Sequence, residues 1–240
     1  MKYVEVFWTP YYNKALPHEI DNDLVITKPK PFFPMLLDAR SGMPYMQCPA
    51  VAKKHQNDFV VCAPYDFVIS FIEEQKQIST DRYGQRFFET SITANWSNLP
   101  QGMPPLIQAP PRYLMYSFED VEIEVTDLPI IKSEFSKNVK MVHGSFNISK
   151  WYRPIEAAFE VIDASKPVVI EVGKPMYLIR LRTPNNVPVK LTRVDFTDDL
   201  ATKVGACMAV KDKRKGLKLQ ELYDLAAEYL NVFKEKYQRK

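Results

Sequence analysis

Two neighbouring stretches decide the fold: WYRPIEAAFEVID at residues 151–163 and VVIEVGKPMYLIRLR at residues 168–182. Both are rich in β-branched and aromatic residues, the residue types that strands favour. Gly173, Lys174 and Pro175 interrupt the second stretch and predict a turn there. The two stretches therefore predict a series of short strands joined by tight turns.

The same patterns recur on both sides of these stretches. Residues 121–126 and 187–196 alternate apolar and polar side chains, as strands with one solvated face do. Residues 58–63 form a short apolar run that is typical of a buried strand. The remaining strand candidates lie at residues 2–8, 24–27, 46–51, 67–72, 85–93, 112–118 and 139–142.

Proline usage shapes the expected connections. The chain has 19 prolines and only 7 glycines, which predicts rigid loops between strands. Residues 99–111 hold five of these prolines, so the segment is expected to be neither a helix interior nor a central strand. The polar residues 73–84 are expected to form a hairpin loop.

A single amphipathic helix is predicted near the C-terminus, at residues 217–236. Its apolar stripe repeats at steps of three and four residues. The stripe consists of Leu219, Leu222, Ala226, Tyr229 and Phe233. The predicted fold is thus mainly β: an antiparallel β-sandwich with jelly-roll-like character plus one C-terminal α-helix.

The predicted organisation has three parts within one structural domain. Residues 1–47 form an N-terminal strand and an extended Pro-rich arm that packs on the core. Residues 48–210 form the β-sandwich. Residues 211–240 form the basic amphipathic helix. A length of 240 residues is compatible with one large β domain.

Charge and cysteine content limit the functional classes. The net charge of +3 is too weak for a general nucleic-acid binder. Three cysteines, an odd number without metal-binding spacing, are expected to be buried, inert thiols in a reducing compartment. We recognise neither a signal peptide nor a membrane-spanning segment in the sequence.

The sequence contains no clear catalytic or metal-binding motif. Its three histidines are His18, His55 and His143, and none has a carboxylate two residues later, as an iron-binding jelly roll would require. Zinc-ligand pairs, a nucleophile elbow and a phosphate-binding loop are not found. The sequence therefore predicts no catalytic residue, no cofactor and no metal.

A candidate binding surface is formed by Trp151, Tyr152 and Arg153. Two aromatic rings and a guanidinium can form a flat platform for a ligand. Alternatively, Trp151 fills the core and Arg153 holds a loop. The basic residues that precede the predicted helix extend this candidate surface: Lys213, Arg214 and Lys215.

The segments HGSFNISKWYRP at residues 143–154 and IEVGKPMYLIRL at residues 170–181 resemble functionally uncharacterised proteins of tailed bacteriophages. CPAV at residues 48–51, Asn57 and PYD at residues 64–66 fit the same pattern. The resemblance covers residues 48–196. It implies a phage-encoded β protein made in the host cytoplasm and no particular substrate.

Three functional hypotheses follow. The first is a non-enzymatic virion or assembly component that contacts protein partners, including copies of itself. The second is a jelly-roll enzyme, either a metal-dependent oxygenase or a carbohydrate-active protein, in which His55 and His143 would converge with Asp58 or Asp66. The third is a module that binds a host protein through the C-terminal helix.

Overall fold

The computed structural model describes residues 2–11, 28–40, 43–64, 66–72, 77–80, 93–95, 102–109, 111–129, 131–213 and 216–238. Within these ranges the protein is mainly β, as the sequence predicts. The strands are β1 (Val4–Pro10), β2 (Lys30–Pro31), β3 (Asp58–Cys62), β4 (Phe67–Ile72), β5 (Gln77–Thr80), β6 (Thr93–Asn95), β7 (Leu106–Gln108), β8 (Tyr113–Tyr116), β9 (Glu122–Thr126), β10 (Val139–Met141), β11 (Gly144–Asn147), β12 (Pro154–Ile155), β13 (Ala158–Val161), β14 (Val168–Ile170), β15 (Pro175–Arg182) and β16 (Val189–Arg193).

These strands form four sheets. Sheet A has the order β12-β8-β1-β16, and sheet B has the order β11-β9-β15-β3-β2. Sheet C is β14-β4-β5, and sheet D is β10-β13-β7-β6. The α-helices are α1 (Phe32–Ala39), α2 (Pro49–Lys54), α3 (Glu134–Asn138), α4 (Asp198–Lys213) and α5 (Leu219–Gln238). Two 3₁₀ turns occur at Pro44–Gln47 and Pro184–Asn186.

All four sheets contribute to one apolar core. Met115 of sheet A, Tyr177 of sheet B, Ile69 of sheet C and Phe159 of sheet D belong to the same buried cluster. Successive residues of a strand face opposite sides, so sheets A and B each present a second face. Helices α4 and α5 cover the second face of sheet A, and α1 packs on the second face of sheet B.

Strands β1 and β16 pair in parallel, with Val4 opposite Val189. The sequence analysis expected only antiparallel pairing, so this part of the prediction is wrong. Parallel neighbours need a long crossover connection, and here most of the chain lies between the two strands. The N-terminal strand is therefore an interior strand of sheet A, with β8 on its other side.

The prediction of one C-terminal helix is wrong, because two helices occupy this end of the chain. Helix α4 begins at Asp198, inside the range predicted to be sandwich, and α5 follows a turn at Gly216. The φ angle of Gly216 is +90°, a backbone conformation that glycine adopts without strain. The pattern that identifies α4 is the three- and four-residue spacing of its buried side chains: Leu200, Val204, Cys207 and Val210.

Three local predictions also fail. Residues 46–51 are helical rather than extended, since a 3₁₀ turn leads to α2, which starts with Pro49. Residues 106–108 form β7, which has strand neighbours on both sides although prolines flank it. Residues 77–80 form β5, where a hairpin loop was expected. The candidate at residues 24–27 lies outside the described residues, as does the candidate at residues 85–93 except for its last residue.

The other strand predictions are confirmed, since each predicted range overlaps a strand of the structure. None of the helices in the described ranges has both the length and the apolar character needed to cross a membrane.

Candidate protein-binding groove

An open groove lies where the edges of two sheets meet. Strand β2 is the last strand of sheet B on one side of the groove, and β16 is the last strand of sheet A on the other. The groove encloses about 430 Å³, within the usual range of ligand-binding sites. Its lining residues are Lys28, Pro29, Lys30, Pro31, Phe59, Val189, Lys190 and Leu191.

The floor of the groove is apolar and its rim is basic. Phe59 and Leu191 are both buried and belong to the main core. Lys28, Lys30 and Lys190 are all exposed. Among the described residues, no carboxylate lies within 4.0 Å of the Lys28 or Lys30 ammonium group, and Lys190 Nζ lies 3.8 Å from Glu5 Oε1. In the described part of the chain the rim is therefore positively charged, with Glu5 as the acidic neighbour of Lys190.

The two walls of the groove differ in their capacity to pair with another strand. Pro29 and Pro31 remove backbone donors from the wall formed by β2, which blunts this edge. Strand β16 contains no proline. Since β1 is the one described strand that pairs with β16, the wall that can accept a further strand is β16.

The parallel register shows which backbone groups of β16 point away from β1. Val4 N–H donates to Pro188 O, and Val194 N–H donates to Trp8 O. This alternation directs the backbone groups of residues 189 and 191 into the groove. Leu191 O accepts a hydrogen bond from Lys28 Nζ at 3.0 Å, whereas Leu191 N–H has no partner among the described residues.

A buried asparagine holds the start of β16 in place. Asn57 is 3% exposed, and its Nδ2 donates to Val187 O at 2.9 Å. Its Oδ1 accepts from Val189 N–H, also at 2.9 Å. Because Asn57 directly precedes β3, these two bonds fix the edge of sheet A relative to sheet B. The wall of the groove formed by β16 is thus tied to sheet B by two hydrogen bonds.

The groove was not predicted from the sequence. The only local sequence signal for the groove is the alternation of lysine and proline at residues 28–31, which is typical of a charged edge strand. Lys190 stands at an outward position of a predicted strand, but its proximity to Lys28 depends on the parallel pairing of β1 and β16. Pairing over such a sequence distance carries no local signature.

The surface that the sequence suggested is largely covered. Trp151 is 2% exposed and lies beneath α4 and α5, where its ring centroid is 5.9 Å from that of Tyr223. Tyr152 is also buried, and Lys203 Nζ lies 5.3 Å from its ring centroid. Both aromatic rings therefore serve packing, which matches the alternative that placed Trp151 in the core.

The basic part of the suggested surface is only partly described. Arg153 Nη2 lies 3.5 Å from Glu156 Oε2, and Lys211 Nζ lies 3.7 Å from the same oxygen. The side chain of Lys213 and the whole of Arg214 and Lys215 lie outside the described residues. Arg153 and Lys211 thus form a small ion-pair cluster around Glu156.

The inner face of α5 is occupied by the rest of this chain. Tyr223 and Ala226 are buried against the cluster that contains Trp151. Tyr223 Oη also accepts a hydrogen bond from Asn147 N–H at 2.7 Å. A host protein would therefore have to bind α5 through a different face.

A ladder of charges crosses the outer face of sheet B. Asp58, which is 1% exposed, accepts hydrogen bonds from Arg180 Nε at 3.0 Å and Nη2 at 3.4 Å. Arg180 Nη1 lies 3.7 Å from Glu124 Oε2, and Glu124 also pairs with Arg182. Burial lowers the pKa of Arg180, but Asp58 and Glu124 outweigh this effect and raise it. Each carboxylate of the ladder thus has a cationic partner.

The two described histidines contact different acids. His55 Nδ1 lies 2.7 Å from Asp58 Oδ2, and His143 Nε2 lies 3.0 Å from Asp127 Oδ2. Asp66 accepts a hydrogen bond from Val172 N–H. Within the described residues, His, Cys, Asp and Glu side chains form no group of three that could hold a metal ion. The convergence that a metal-dependent enzyme would need is not seen in these residues.

The cysteines differ in environment. Burial raises the pKa of Cys207 to about 11, with a backbone hydrogen bond from Tyr152 lowering it slightly. Burial also raises the pKa of Cys62, and the charge of Lys30 lowers it in part. Cys48 is exposed, which contradicts the expectation of three buried thiols.

A thiol-specific reagent tests this assignment. At pH 8 we expect one fast-reacting thiol, Cys48, in the native protein and three after denaturation in urea, because buried neutral thiols are poor nucleophiles. The neutral thiol of Cys207 stabilises the folded state. This contribution to the free energy of unfolding is complete below pH 9 and is lost as the pH rises toward 11. Cys48→Ser should abolish the fast phase; a fast phase that survives this substitution would contradict the assignment.

Comparison of the chain with protein-family models, with curated proteins and with solved structures found no match.

Proposed function

We propose that this chain is a non-enzymatic phage protein, a virion or assembly component that acts through contacts with other proteins, including copies of itself. The observation that carries the proposal is the basic groove between two sheet edges, one of which has outward-facing backbone groups, Leu191 N–H and Val189 O, that no described residue engages. Exposed sheet edges are templates for pairing with another chain. The protein would be made in the host cytoplasm and incorporated into the particle.

The proposed scaffold is an antiparallel β-sandwich with jelly-roll-like character. Sheets A and B support it, since the inner faces of both belong to one apolar cluster. The parallel β1–β16 pair is a departure from an all-antiparallel jelly roll. In this proposal the departure matters for function, because it places the outer edge of β16 beside β2.

Paired residues in the charged regions also favour a binding role over catalysis. Asp58, the most deeply buried carboxylate of the ladder, is engaged by Arg180 and His55. The thiols of Cys62 and Cys207 are held neutral by burial. These groups stabilise the fold rather than activate a substrate.

The test has two measurements. Sedimentation velocity over a hundredfold concentration range should show concentration-dependent self-association of the purified chain. Mass spectrometry of purified virions should detect the chain in the particle. A strictly monomeric protein that is also missing from virions would overturn the proposal.

A further inference from the structure

We infer that the groove binds an extended acidic segment of a partner protein, which adds as a strand to the edge of β16 that faces away from β1. This inference rests on the proposed protein-binding function and specifies the chemistry of the partner. Two features carry it independently: the outward-facing groups Leu191 N–H and Val189 O, which have no partner among the described residues, and the charge of the rim. Of the described strands, only β1 pairs with β16.

The backbone edge selects an extended polypeptide. Strand addition uses main-chain hydrogen bonds for affinity, and side chains at alternate positions for specificity. In the groove, Leu191 N–H can donate to a carbonyl of the added strand, and Val189 O can accept from one of its amides. A nucleic acid strand has no backbone amide to donate to Val189 O. The edge therefore favours a peptide over an oligonucleotide.

The rim selects negative charge. Lys28 and Lys30 stand on one wall, and Lys190 stands on the other. Side chains of an added strand point alternately to its two faces, so acidic residues at alternate positions would lie along a row of lysines. Opposite charges across such an interface guide association and suppress neutral or basic partners.

The geometry fits a short segment. Strand β16 has five residues, which corresponds to a length of about 17 Å. The apolar floor formed by Phe59 and Leu191 can take one or two apolar side chains. An alternation of glutamate and valine over about seven residues satisfies both the rim and the floor.

The experiment measures binding of a fluorescent seven-residue peptide of alternating glutamate and valine to the full chain. We expect saturable binding that weakens as the salt concentration rises from 50 to 500 mM. The same peptide with glutamine in place of glutamate should bind at least about tenfold more weakly. A version with N-methylated amides on one edge keeps its charge and should lose binding, because it cannot extend the sheet.

Charge-reversal variants locate the site. The triple variant K28E/K30E/K190E should bind the acidic peptide at least about tenfold more weakly and should bind a lysine–valine peptide instead. The matched control K140E/K150E/K174E reverses three exposed lysines elsewhere and should bind as the wild type does. A thermal melt of each variant establishes that it is folded.

Several outcomes would overturn the inference. They are absence of peptide binding, equal loss in both triple variants, full binding of the N-methylated peptide, and groove-dependent binding of a thymidine oligonucleotide in preference to the peptide. Absence of peptide binding by a chain that self-associates and enters virions would refute the inference alone. Peptide binding by a monomeric chain that is missing from virions would refute the proposed function alone.

Discussion

Replacing Trp151 by alanine is expected to lower the free energy of unfolding by about 3–5 kcal/mol. The indole is 2% exposed and lies between sheet A and the C-terminal helices. Its removal leaves a cavity that Leu114, Val204 and Tyr223 would have to fill. Urea denaturation followed by circular dichroism measures the change.

The control for this substitution is Phe118→Ala. Phe118 is also a large aromatic residue, but it is 76% exposed and makes T-shaped ring contacts with Phe7 and Tyr116. We expect it to cost less than about 1 kcal/mol. Similar losses in the two variants would mean that Trp151 is not packed beneath α4 and α5.

Replacing Asp58 by alanine is expected to cost about 2–4 kcal/mol, because it leaves the guanidinium of Arg180 without its closest partner. Asp58 is 1% exposed and receives two hydrogen bonds from Arg180 besides the contact with His55. The side chain of Arg180 is 24% exposed, so water can compensate for part of the loss.

The exposed ion pair between Glu134 and Lys137 provides the comparison for Asp58. Both side chains of this pair are more than half exposed, and Glu134→Ala should change the free energy of unfolding by less than about 0.5 kcal/mol. The unfolding midpoint in urea is the readout for both variants. An Asp58→Ala variant as stable as Glu134→Ala would show that the charge ladder contributes little to the fold.

Local patterns predicted the strands better than their partners. The alternation at residues 121–126 identified β9, because Ile123 faces the core while Glu122 and Glu124 face outward. The parallel pairing of β1 with β16 depends on the closure of the whole chain, and no local pattern encodes it. The alternation of side chains along a segment indicates whether that segment forms a strand. Tertiary packing determines which strands pair with one another.

Two failures have simpler causes. Helix α4 mixes Gly205 and several charged residues with its apolar stripe, so its helical period was hidden by composition. Strand β7 lies between Pro105 and Pro110 and pairs with a strand on each side. The many prolines around it predicted a loop instead. In both cases the burial of a few side chains outweighed local propensity.

The candidate site was the least predictable part. Lys28 and Lys190 are separated by most of the chain, and each alone resembles an ordinary surface lysine. Their proximity depends on the parallel pairing of β1 with β16 and on Asn57, which joins the start of β16 to sheet B. Trp151 and Tyr152, which the sequence predicts as part of a binding surface, are buried under helices. The aromatic residues thus belong to the core, whereas ordinary surface lysines line the groove.

Amide hydrogen exchange at Leu191, measured by NMR in the presence of the saturating glutamate–valine peptide, probes the open edge of β16 most directly. Leu191 N–H should exchange at least about tenfold more slowly in the complex, since it gains a hydrogen bond. Val189 N–H, which already donates to Asn57, should change little. Saturation of the peptide-binding site with no change in exchange at Leu191 would contradict strand addition at this edge.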